Sequence, residues 1–261
     1  MAEVLSHDSS PGQFDGRVVL VVGASRGIGA AVSFAFAERG AAVVLASRDR
    51  RASDGVVRRI RQAGGEASAV TADVCVEASV EAAIDFAVDT YGAIDIAFNN
   101  AGAQGPAAPI HELTTETWVS VLETNLTGLF YCLKYELARM VIQGSGAIVN
   151  TASVGGVVAA PGIGPYCASK HGVIGLTRGA ALDYAALGIR INAVAPGAID
   201  TDIFNNWMSG PGARQAMVEL HPLKRIAHVD ELNGAVLWLA SEDASYVTGS
   251  VVTVDGGYTI R

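Results

Sequence analysis

The chain has 261 residues, half of them apolar and 17% charged, which allows one large α/β domain or at most two small ones. That composition excludes a disordered chain and predicts a sizeable buried core. A formal net charge of −8, spread without acidic or basic blocks, gives no footprint for nucleic acid or an anionic membrane.

Residues 1–13 are polar and carry Ser, Gly and Pro, the pattern of a mobile tail before a domain over residues 14–261. Glu3, His7 and Asp8 interrupt this stretch and no apolar segment follows, so no signal peptide is expected. From Arg17 onward, strand-like and helix-like segments alternate. The apolar run 18–22 reads as a strand covered on both faces, followed by an Ala-rich helix over 28–39. A strand over 42–46, a basic helix over 51–63, a strand over 67–72 and a helix over 76–91 come next. Residues 94–98 read as a strand, 115–142 as one long helix and 146–151 as a strand. A helix over 166–187, a strand over 190–195, a helix over 229–239 and a last strand over 250–254 complete the series.

This alternation with short connections predicts parallel strands and right-handed crossovers. The expected fold is α/β, a single Rossmann-like doubly wound parallel sheet with helices on both faces and ligands at the strands' carboxyl ends. The long uncharged stretch 140–169 is broken by glycines, prolines and polar residues, so it reads as strand, loop and helix start rather than a membrane span. Residues 200–221 fit neither period and suggest a pair of short helices forming a lid.

Three cysteines, Cys75, Cys132 and Cys167, form no C-x-x-C pair, as expected of reduced thiols in a cytoplasmic protein. The histidines show no metal-ligand spacing, and no metal site is predicted. Trp118 and Trp238 fall in amphipathic helices and read as core residues.

Chemistry concentrates at a few positions. Gly23, Gly27 and Gly29, with Ser25, Arg26 and Ile28 between them, join the first strand to the first helix. Such a loop permits a tight turn and close backbone approach, while the helix N-terminus offers free N–H groups to a pyrophosphate. The second strand ends Ser47-Arg48, with no acid until Asp49. An arginine there suits a ribose 2′-phosphate where a carboxylate would suit the 2′-hydroxyl, and Arg26 offers a second guanidinium. Tyr166 and Lys170 share a helix face at i,i+4 spacing, with Ser153 upstream. A lysine beside a phenol favours the phenolate and brings it toward the working pH, as proton transfer at an alcohol or carbonyl oxygen requires.

These ordered motifs resemble the short-chain dehydrogenases/reductases of the classical subfamily, over nearly the whole chain from Phe14 to Tyr258. Gly23, Gly27 and Gly29 match that family's glycine loop, with Val22 where Thr is usual. The resemblance implies that Asp73 and Val74 border the adenine, and that Asn100, Ala101 and Gly102 border the adenosine ribose. It also implies that Pro196, Gly197, Ile199 and Thr201 contact the nicotinamide carboxamide. Asn125, Ser153, Tyr166 and Lys170 match the catalytic tetrad.

In those roles Tyr166 protonates the carbonyl oxygen, Ser153 hydrogen-bonds it, and Lys170 lowers the Tyr166 pKa and binds the nicotinamide ribose. Asn125 holds a water that links Lys170 to solvent. The Ser47-Arg48 pair matches the family's NADP-preferring members, and the ending 254–257 resembles the part packed across subunits in its tetramers. The implied protein is a homotetrameric NADP(H)-dependent oxidoreductase interconverting a ketone and a secondary alcohol. An NAD-dependent alcohol dehydrogenase of the same fold and a non-catalytic dinucleotide-binding protein are the alternatives. Candidate substrate contacts are Gln104, Val154, Val158, Ile163, Phe204, Trp207 and Met208, a set that suggests a cyclic or aromatic carbonyl compound.

Overall fold

The structure, a computed structural model, describes residues 12–260, so residues 1–11 of the expected tail lie outside the described residues. Its strands are β1 (Val18–Val22), β2 (Ala42–Ser47), β3 (Glu66–Thr71), β4 (Ile96–Asn99), β5 (Gly146–Thr151), β6 (Ile189–Pro196) and β7 (Val251–Val254). The helices are α1 (Gly27–Ala37), α2 (Arg50–Gln62), α3 (Glu77–Tyr91), α4 (Thr115–Leu122), α5 (Gly128–Gln143), α6 (Gly164–Tyr184), α7 (Asp202–Trp207), α8 (Ala213–Leu220) and α9 (Asn233–Ala240).

The strands form one seven-stranded sheet in the order β3-β2-β1-β4-β5-β6-β7. All neighbouring pairs are parallel, as the alternating sequence pattern predicts. Successive side chains of a strand point to opposite faces. Leu20 and Val22 therefore join a core with Ile84 of α3, Leu133 of α5 and Val173 of α6. Val19 and Val21 join the other, with Phe36 of α1, Ile60 of α2 and Leu237 of α9. Each such aliphatic side chain contributes about 1.5–3 kcal/mol by leaving water. With helices over both faces, the open part of the sheet is the carboxyl edge, where the order reverses between β1 and β4.

Local signals set the helix ends. Asp49 accepts a hydrogen bond from the Ala52 N–H and starts α2. Pro165 occupies the first turn of α6, where its missing N–H costs nothing. The segment 200–221 holds the short helices α7 and α8.

Two expectations need correction. The helix expected over 115–142 is interrupted by a π-helical turn at Glu123–Thr127, where the Gly128 N–H reaches back to the Glu123 carbonyl. Such a turn adds a residue and re-aims a side chain, and here it carries Asn125 into the interior. Trp118 and Trp238 are not core residues, being 45% and 41% exposed.

Candidate active site

A cavity of about 1410 Å³ opens at the carboxyl edge of the sheet. Gly23, Ser25, Arg26, Gly27 and Ile28 line one side, and Ser47, Arg48, Asp73 and Val74 continue it. Asn100, Ala101, Gly102, Gln104, Ser153, Tyr166, Lys170, Pro196, Gly197, Ile199 and Thr201 also line it, whereas Gly29 and Asn125 of the predicted set do not.

Close backbone approach fixes the glycine loop. Gly23 has φ +82°, and a Cβ there would fall 2.7 Å from the Ala101 nitrogen. A Cβ on Gly29 would collide with the Gly23 carbonyl oxygen. Asn100 ties these turns together by donating from Nδ2 to that same carbonyl at 3.1 Å. The result is a backbone cradle at the start of α1 that any larger side chain would fill. It fits a dinucleotide pyrophosphate.

At the end of β2, the Ser47 hydroxyl is 2.7 Å from that of Ser53, and the Asp49 carboxylate is engaged in capping α2. The Asp49 carboxylate is thus turned to a helix start, while Arg48 is exposed on the cavity wall. Arg26 lies 3.7 Å from Asp202, the first residue of α7. Asp73 accepts from the Cys75 N–H at 3.0 Å, which fixes the turn after β3.

The polar groups near α6 form a connected set. Lys170 is buried, and its Nζ donates to the Thr151 carbonyl at 2.7 Å. Burial pulls its ammonium down to about 8. Tyr166 sits one turn earlier, with Lys170 Nζ 5.8 Å from its ring centroid. Burial pushes the phenol above its ordinary value, partly offset by a hydrogen bond with Ser153. The direction differs from the lowering expected from i,i+4 spacing. Lys170 is directed to the Thr151 carbonyl, and desolvation governs both groups. The phenol is therefore held neutral and proton-bearing at neutral pH, the state that can donate.

The Asn125 side chain is held by the protein. Its Nδ2 donates to the Ala103 carbonyl at 2.7 Å and to the Ser169 hydroxyl at 3.0 Å, and its Oδ1 accepts from the Ala103 N–H at 2.7 Å. Both side-chain N–H groups are thus spent on the protein, and the residue clamps the loop after β4 to α6. No sequence signal marked the π-helical turn that makes this possible, because its stabilisation comes from these distant partners.

Of the expected substrate contacts, Gln104, Val154, Val158, Ile163, Phe204 and Trp207 line the cavity, whereas Met208 does not. Met208 closes α7 with its N–H on the Phe204 carbonyl, and Met217 of α8 lines the cavity in its place. Sequence reasoning also missed His221. Its Nε2 accepts from the Ala198 N–H at 3.2 Å, Nδ1 donates to the Met217 carbonyl at 2.7 Å, and its ring packs on Tyr258. A lone histidine after an irregular segment carries no signal for that position.

The chain matches the family model described as enoyl-(acyl carrier protein) reductase over residues 23–259. It is 42% identical to the cyclohexanol dehydrogenase of Acinetobacter sp. strain SE19 across 95% of this chain and 97% of that protein. It is 45% identical to the cis-4-hydroxycyclohexanecarboxylate dehydrogenase of Sinomonas cyclohexanicum, across 94% of this chain and 98% of the relative. The crystal structure of levodione reductase superposes with a TM-score of 0.91 at 39% identity, covering 95% of this chain and 99% of that one. With this glycine cradle, sheet order and extent of likeness, the chain belongs to the short-chain dehydrogenase/reductase family, classical subfamily, as a nicotinamide-dependent oxidoreductase of alcohol and carbonyl groups.

Proposed function

We propose that the protein interconverts a ring ketone and its secondary alcohol with NADP(H), using Tyr166 as general acid and base. The observation that carries this reading is the juxtaposition of Tyr166, Ser153 and buried Lys170 on the wall of the cavity that holds the glycine cradle. When bound, the nicotinamide supplies or accepts the hydride at the carbonyl carbon. In reduction, Tyr166 releases its phenolic proton to the substrate oxygen, and Ser153 hydrogen-bonds that oxygen as charge develops on it. Lys170, a cation in a desolvated place, stabilises the phenolate left behind. Asn125 acts by position, holding Ala103 and Ser169 so that the loop after β4 and the start of α6 keep their spacing.

Two features support NADP(H) over NAD(H). Asp49, the acid that follows Arg48 at the end of β2, has its carboxylate held in capping α2, and Arg48 has no ion-pair partner among the described residues. Arg26 is the less available guanidinium, since Asp202 faces it. Both NAD and NADP complexes occur among solved structures of this fold, so the family alone does not decide the point.

The apolar wall of Val154, Val158, Ile163, Phe204 and Trp207, together with relatives named for cyclohexane alcohols, supports a cyclic substrate. A homotetramer belongs to the same reading. Trp118, Val119, Phe130 and Ile142 on α4 and α5 are exposed in a single chain, as is Ile260 beyond β7. No helix among the described residues is long and apolar enough to cross a membrane. The direct test is oxidation of NADPH by the purified protein with cyclohexanone, against a blank without ketone. Cofactor binding with no turnover of any ring ketone would favour a binding protein instead.

A further inference from the structure

Gln104 is a polar group on the cavity wall that also carries Val154, Val158, Ile163, Phe204 and Trp207, and the backbone around it is held in place. The residue before it is clamped at both N–H and C=O by Asn125, each at 2.7 Å. Gly105, the residue after it, has φ +76°, and a Cβ there would lie 2.8 Å from a Val121 methyl. Further along the loop, the Ala108 N–H donates to the Gly162 carbonyl at 2.9 Å. Yet the Gln104 amide itself has no partner. Its Nε2 is buried without a hydrogen bond, and no described residue donates to its oxygen. Rotation about the last side-chain torsion exchanges the two ends, so the amide can offer either donor or acceptor to the cavity.

In the open cavity, the accessible end is free to bond solvent water. An apolar ring filling the space would remove that water and leave the amide wholly unpaired, which is unfavourable. We infer that the substrate is a ring ketone bearing a second oxygen, a hydroxyl or another carbonyl, which the Gln104 amide hydrogen-bonds. Sites built to bond an oxygen reject analogues that lack it, because the protein's own polar group is then stranded. This inference rests on the proposed reduction of a ring ketone.

The test compares rings of nearly equal size with NADPH. For the wild-type protein, the better of 3- and 4-hydroxycyclohexanone should exceed the matching methylcyclohexanone in kcat/KM by roughly 10- to 100-fold. Gln104→Met keeps an unbranched chain and removes the amide, and should bring that ratio to within about threefold of one. Gln104→Glu should retain a preference for the hydroxy ring, whose O–H it can accept, and lose it for cyclohexane-1,4-dione. Equal rates for hydroxy and methyl rings in the wild type, or a ratio that survives Gln104→Met, would overturn the inference while leaving ring-ketone reduction standing. Absence of turnover with every ring and both nicotinamides would overturn the reductase reading and this inference together.

Discussion

Two buried ionisable side chains, Lys170 of α6 and Glu136 of α5, stand over the same face of the sheet, and only Lys170 borders the cavity. Asn99 and Asn150 are cross-strand partners in β4 and β5. Asn99 donates from Nδ2 to Glu136 Oε2 at 2.9 Å and to Asn150 Oδ1 at 3.1 Å, and Asn150 donates to Thr177 at 3.0 Å. The next residues, Asn100 and Thr151, line the cavity, and Thr151 accepts from Lys170. Desolvation acts on both charges alike, raising the Glu136 carboxyl to about 7 and lowering the Lys170 ammonium to about 8. Their accessibility differs. A ligand can enter beside Lys170, whereas Glu136 Oε1 and Asn99 Oδ1 remain without partners in a closed core. A buried charge at a cavity can serve chemistry, and one enclosed in the core is a cost carried by the fold.

Substitution should separate the two most strongly in turnover. Lys170→Met should lower kcat/KM for ketone reduction by roughly 10²–10³-fold, through loss of the cation beside the phenolate. Glu136→Gln should change it by less than about threefold, since the residue lies outside the cavity. Steady-state kinetics on both variants checks the contrast. Equal losses would mean that the core network reaches the site.

Stability should separate them next, through opposite pH dependence. Glu136 has its folded-state pKa raised from 4.5 to about 7, so the folded chain keeps a proton that the unfolded chain has released. Its stability contribution is present below pH 4.5 and is lost as pH rises toward 7, by roughly 3 kcal/mol. Lys170 has its pKa lowered from 10.5 to about 8, so the folded chain releases a proton that the unfolded chain keeps. Stability lost to its burial returns as pH rises from about 8 toward 10.5. Neutral pH is where both buried groups cost most. Denaturant unfolding should show Glu136→Gln stabilised at pH 7.5 relative to wild type, with little difference near pH 4.5. A variant less stable than wild type at both pH values would contradict this account of Glu136.

The smallest expected effect concerns an exposed charge, Arg48, to which neither desolvation argument applies. Charged hydrogen bonds contribute about 1.5–3 kcal/mol, so one contact to the 2′-phosphate should favour NADPH over NADH by roughly 10- to 100-fold. Ser47→Asp with Arg48→Ala should reverse that preference by restoring an acceptor for the 2′-hydroxyl. The ratio of kcat/KM for the two cofactors decides it, and a wild-type preference for NADH would remove the NADP assignment without touching the family.

The contrast between Lys170 and Glu136 also marks what could be read from sequence. The sheet and its flanking helices were legible because continuous apolar strands such as 18–22 and period-3.6 helices are local patterns. So were the glycine loop and the Tyr166–Lys170 spacing, whose geometry depends on neighbours in the chain. The π-helical turn at Glu123–Thr127 was not, because it is stabilised by Asn125 bonding to Ala103 and Ser169 on other segments. The direction of the Tyr166 shift was missed for a similar reason, since spacing predicts proximity but says nothing of burial. Glu136 looks like one more charge on an amphipathic helix until Asn99 and Asn150 are seen against it.

The central claim is that Tyr166 gives the substrate oxygen its proton, and Tyr166→Phe tests it most directly, since the ring stays and only the hydroxyl is lost. The measurement is NADPH-dependent reduction of a ring ketone by the variant and the wild type, alongside NADPH binding followed by fluorescence. Turnover should fall by roughly 10²–10⁴-fold with cofactor affinity nearly unchanged, because the glycine cradle and Lys170 remain. Turnover close to wild type in the Phe variant would contradict the assignment of Tyr166 as the proton donor.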